Sequence, residues 1–92
     1  MTGSKLSPAV ITVGEELVWG ELANANQQWM LQWLKEQDQP AGIAITLPDH
    51  KDTIAKWLRN LHKEFYPLIV SGGIGGTHDD CTRQAIAQSL GI

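Results

Sequence analysis

The residues best suited to chemistry gather in one stretch of this chain, SGGIGGTHDD at residues 71–80. Gly72, Gly73, Gly75 and Gly76 leave backbone N–H groups uncovered by side chains. A loop of that kind ahead of a helix can approach an anion such as a phosphate closely. The plainer use of glycine is a tight turn that needs positive φ. Four glycines within five residues favour the binding role. The loop is not a Walker A loop, because GK[ST] is missing, and it is not a G-x-G-x-x-G after a first strand. Thr77, His78, Asp79 and Asp80 close it. Either aspartate could cap a helix. As an adjacent pair they could hold a hard cation such as Mg²⁺ through oxygen ligands. A lone histidine such as His78 is more often neither ligand nor proton carrier, and no zinc spacing accompanies it. Cys81 stands at a helix start, where a thiolate is favoured, but a small half-buried side chain is the commoner explanation.

Two other loops carry candidate groups. Asp49 follows Pro48, where it could cap the next helix or face a ligand. Glu15 and Glu16 follow Gly14, one expected to face solvent and the other inward. Asn24 and Asn26 could bind a ligand, or could organise the loop and cap the first long helix. Trp19 could stack on a flat ring, whereas Trp29, Trp33 and Trp57 read as core or helix packing.

The elements that must position these groups follow from apolar periodicity. Residues 1–7 are small and polar and read as a loose leader to a single domain over 8–92. AVITV, IAITL and Leu68-Ile-Val are short apolar runs, suited to strands covered on both faces. Residues 15–25 read as a loop. Residues 26–37 carry Trp29, Met30, Trp33 and Leu34 in one helical stripe, stopped by Pro40 and Gly42. Residues 51–65 place Ile54, Trp57, Leu58, Leu61 and Phe65 on one helix face, and residues 82–90 read as a third helix. The order β-α-β-α-β-α predicts a three-layer α/β/α sandwich around a mainly parallel sheet. In such a sheet ligands sit at the carboxyl ends of the strands. All three loops above fall there.

Composition narrows the classes. The 92 residues carry a net charge of −3 and are 42% hydrophobic, which argues against a disordered chain. One cysteine cannot form a disulfide within the chain. A pI near 5.4 and the lack of a basic cluster argue against a nucleic-acid partner. No apolar run approaches the ~20 residues of a membrane span, and the opening residues do not fit a signal peptide. A cytoplasmic protein is expected.

The stretch GGIGGTHDDCT resembles the G-G-x-G-P-T-H-D-D-x-T signature of molybdopterin-binding domains, and most closely the N-terminal domain of the CinA (competence/damage-inducible) type. Gly14-Glu-Glu-Leu17, Gly20, Asn24 and Asn26 resemble that group's G-D-E-L-L-x-G-x-x-x-N-T-N motif. Leu47-Pro48-Asp49 lies where the related MogA and MoaB proteins carry a Pro-Asp turn. The resemblance runs from Pro8 onward. It departs from the pattern at Gly76, in place of proline, and at Glu15, in place of aspartate. The family domain continues for about as many residues again, so this chain is expected to match the N-terminal half of the family fold.

The resemblance implies a site for the phosphate-bearing pterin of molybdopterin, or for a nucleotide. Gly72, Gly73, Gly75, Gly76 and Thr77 would hold the phosphate, with Glu16 and Asn24 lining the site. Asp49 and Asp80 would be catalytic, and Asp79 with Asp80 would hold a divalent metal such as Mg²⁺. The implied activities are metal-dependent cleavage of an ADP-ribose-like dinucleotide, or a step of molybdenum cofactor biosynthesis, with a homo-oligomer as the implied assembly. The alternative reading is a non-enzymatic half-domain that keeps the loop and associates with another chain through an open strand edge or apolar helix face.

Overall fold

A computed structural model describes residues 6–72 of the chain. Within them the order is β1 (Ala9–Val13), α1 (Glu15–Val18), α2 (Ala25–Glu36), β2 (Ile43–Leu47), α3 (Lys51–Leu61) and β3 (Leu68–Gly72). The helix read at residues 82–90, the loop after Gly72 and residues 1–5 lie outside the described residues.

The three strands form one parallel sheet in the order β2-β1-β3. β1 lies in the middle, paired on both edges, and all five of its residues are buried. The first crossover moves from β1 to β2 on one side. The second returns past β1 to β3 on the other. Right-handed crossovers in opposite directions put their helices on opposite faces. α3 accordingly buries Ile54, Ala55, Leu58 and Leu61 against Ala9, Ile11 and Val13, with Ile43, Ile45, Phe65, Leu68 and Val70 packed around them. The opposite face presents Val10 and Thr12, both buried, and α2 packs on β1 there through buried Leu34. The α/β sandwich therefore has its three layers within the described residues.

Several details differ from the sequence reading. Residues 15–18 are helical, because the Gly14 carbonyl accepts from the N–H groups of Leu17 (3.2 Å) and Val18 (3.1 Å) and closes one turn. α3 ends at Leu61 rather than Phe65, and Phe65 reaches the core from the turn that follows. The residue flanking the start of α3 is His50, without a side-chain cap, so Asp49 is not the cap. Trp29 and Trp33 are 63% and 46% exposed, and Trp57 is 38% exposed, so none of the three is core. Trp29 and Trp33 stack on each other instead, with ring centroids 6.4 Å apart. The helical stripe of α2 is broad, and only its Leu34 edge faces the sheet. Among the described residues no helix is long and apolar enough to cross a membrane.

Candidate functional site

A cleft of about 380 Å³ opens at the carboxyl ends of β1 and β3. Chain direction reverses there: β1 leads away to β2, and the chain returns to β3 on the other side. Such a reversal leaves two adjacent strand ends whose following loops diverge, and a crevice between them. Thr12 and Val13 of β1 and Ser71 and Gly72 of β3 line the cleft from below. Glu16 and Leu17 of α1 and residues 22–26 line its other side. Gly72 has φ +91°, and a Cβ there would collide with the Val13 carbonyl oxygen. Only glycine lets β3 turn so tightly against β1 before the rest of the glycine-rich segment.

Register gives the sheet a polar row behind this cleft. Thr12 pairs with Thr46 on one side and with Ser71 on the other. Each strand thus places one hydroxyl residue at its fourth position, in AVITV, IAITL and LIVSG. Asn24 sits over two of the three. Its Nδ2 donates to Thr12 Oγ1 at 2.6 Å and to Thr46 Oγ1 at 3.2 Å. Its Oδ1 accepts from the Gln27 N–H at 3.1 Å and so caps α2. The Gln27 N–H can only donate, which fixes which end of the Asn24 amide is oxygen.

Of the residues read as site candidates, Glu16, Asn24 and Gly72 come together in the cleft. Asn26 joins them, and Trp19 is exposed without lining it. Asp49 lies at the end of β2 and is not among the lining residues. Its Oδ1 is buried without a hydrogen-bond partner among the described residues. The neighbouring His50 Nε2 lies 3.6 Å from Glu15 Oε1, an ion pair when His50 is protonated, with both side chains well exposed. It links α1 to the turn before α3. Gly73, Gly75, Gly76, Thr77, His78, Asp79, Asp80 and Cys81 lie outside the described residues. Among the described residues no three His, Cys, Asp or Glu side chains gather around a metal-sized point. Sequence reasoning missed Thr12, Thr46 and Ser71. The shared fourth-position hydroxyl was the available signal, but its meaning depends on strand register.

In doubly wound α/β units the crevice at the strand ends is the usual place for a ligand. A family model described as a probable molybdopterin binding domain matches residues 9–92, and the chain belongs to that family. Within the family it is similar to CinA-like proteins. It is 43% identical over 82 residues to the CinA-like protein of Thermotoga neapolitana, covering 89% of this chain and 20% of that protein. It is 36% identical over 81 residues to a protein of Archaeoglobus fulgidus, covering 88% of this chain and 35% of that protein. The crystal structure of CinA from Thermoplasma acidophilum, described as of unknown function, superposes with a TM-score of 0.88 at 28% identity. That match covers 95% of this chain and 52% of the solved one. The chain therefore spans about a fifth to a third of these curated relatives and about half of that solved chain.

Proposed function

We propose that the cleft between β1 and β3 binds a molybdopterin-type ligand or a nucleotide, phosphate end against the glycine-rich segment. The observation that carries this reading is Gly72. Its bare Cα against the Val13 carbonyl opens the glycine-rich segment directly at the cleft. The described walls contribute no Lys or Arg, so the phosphate would be held by backbone N–H groups of residues 73–76 and by Thr77. Glu16, a carboxylate in the same cleft, would accept from the exocyclic amino groups that pterins and adenines both carry. One cleft thereby suits a ligand with an anionic end and a hydrogen-bond-donating flat end. Titration with molybdopterin and with ADP-ribose, each with and without Mg²⁺, tests it. Saturable binding of either one is expected, and failure of both to bind would overturn the reading.

The narrower reading is metal-assisted cleavage of an ADP-ribose-like dinucleotide, with Asp49 and Asp80 as the acidic groups. Asp79 and Asp80 would hold the cation, which when bound offsets charge on the phosphates. The unpartnered Asp49 Oδ1 suits this role, because a buried carboxylate oxygen costs free energy until a cation, a donor or a proton meets it. Asp80→Ala is expected to abolish release of the mononucleotide while leaving binding measurable. Undiminished turnover would remove Asp80 from the chemistry.

A further inference from the structure

From the hydrogen bonds around Asn24 we infer that Thr46, a residue outside the cleft, is a positioning residue for it. The inference rests on the reading of the cleft as a ligand site. An asparagine amide has two N–H donors. Asn24 directs one to Thr12 Oγ1 and the other to Thr46 Oγ1, while its oxygen caps α2. A ligand could take a hydrogen from Asn24 only by displacing one of these partners. Asn24 therefore acts on the cleft as a strut rather than as a donor to the ligand.

The remaining hydroxyl hydrogens complete the circuit in one direction. Thr12 Oγ1 donates to the Ile45 carbonyl at 3.4 Å, because a carbonyl oxygen only accepts. In the 3.2 Å contact between the two threonines, Thr46 is then the donor and Thr12 the acceptor. Thr46 Oγ1 also accepts from Gln27 Nε2 at 3.5 Å. Both Asn24 and Gln27, in the first turn of α2, thus reach the end of β2 through one hydroxyl. Thr46 does not line the cleft, yet the residues it holds set where Asn24, Ala25 and Asn26 stand in its wall.

Thr46→Val removes the hydroxyl with little change of shape, and Thr46→Ser restores it. Binding of ADP-ribose and of molybdopterin is measured for both, for Asn24→Ser and for the unaltered chain. Amide hydrogen exchange is recorded on each. Thr46→Val is expected to weaken binding roughly three- to tenfold. It should also speed exchange at residues 25–28 without changing exchange in β1 or α3. Thr46→Ser should restore both readouts. A purely structural role would raise exchange throughout the domain, and that outcome counts against positioning. Weak binding in Asn24→Ser alongside normal binding in Thr46→Val would also overturn the inference, by making Asn24 a direct donor. If the unaltered chain binds neither probe, the ligand reading fails by itself. The positioning of α2 by Thr46 then stands or falls on whether exchange at residues 25–28 responds to Thr46→Val.

Discussion

Gly72 combines two constraints at one backbone position: a left-handed φ and a carbonyl oxygen where a Cβ would lie. Gly72→Ala is expected to cost about 2 kcal/mol or more, since an alanine must both strain its backbone and push β3 from β1. Urea unfolding of the variant measures this, and a loss below about 0.5 kcal/mol would mean that β3 relaxes freely. The Glu15–His50 pair should behave oppositely. Both side chains are well exposed, so Glu15→Gln is expected to shift stability by less than about 0.5 kcal/mol in the same assay. At this scale the sequence showed which residue types were unusual but not their partners. Asn24 was readable as a cap or as a ligand residue. Its amide donors could be assigned only once β1 and β2 were placed in register, with Thr12 beside Thr46. Asp49 illustrates the reverse. An aspartate after a proline is a good cap by type, yet α3 begins one residue too late for it to cap the helix.

The elements were legible wherever burial was uniform. β1 and β2 match their apolar runs residue for residue, because Pro8 and Gly14 bound the first run and Gly42 and Pro48 the second. β3 runs on through Ser71 and Gly72, polar residues that composition alone assigned to a loop. α1 was hidden because four residues give no periodicity. Its single turn depends on the Gly14 carbonyl rather than on side-chain pattern. The tryptophans of α2 mark another limit. Apolar spacing identifies a helix face but does not say that the face is covered. The two helices should therefore respond differently to truncation. Ile54→Ala, in the fully buried face of α3, is expected to cost about 2–5 kcal/mol. Trp29→Gln and Trp33→Gln should each cost under about 1 kcal/mol, chiefly the mutual stacking. Chemical denaturation with tryptophan fluorescence distinguishes them. Equal losses in the two helices would show that the outer face of α2 is covered in solution.

Across the whole molecule, sheet order and cleft are one fact. A β2-β1-β3 order forces a reversal beside β1, and the reversal leaves the crevice that Glu16, Leu17, residues 22–26 and the ends of β1 and β3 enclose. A ligand bound there bridges β1, β3 and the start of α2, so its affinity must appear in global stability. At a hundredfold excess over Kd, the ligand should raise unfolding free energy by about 2.7 kcal/mol. A thermal melt that does not move under those conditions would place binding on a segment that unfolds independently of this sheet.

The same strand order has a consequence for biosynthesis. Among the described strands β1 is translated before both of its partners, so both of its hydrogen-bonding edges wait for strands made later. Until β2 and then β3 emerge from the ribosome, a strand that is apolar apart from Thr12 has no sheet to enter. Such a strand is open to chaperones, or to the same segment on a neighbouring nascent chain, throughout that interval. The central position that makes β1 the most buried of the described strands also leaves it waiting longest for partners during translation.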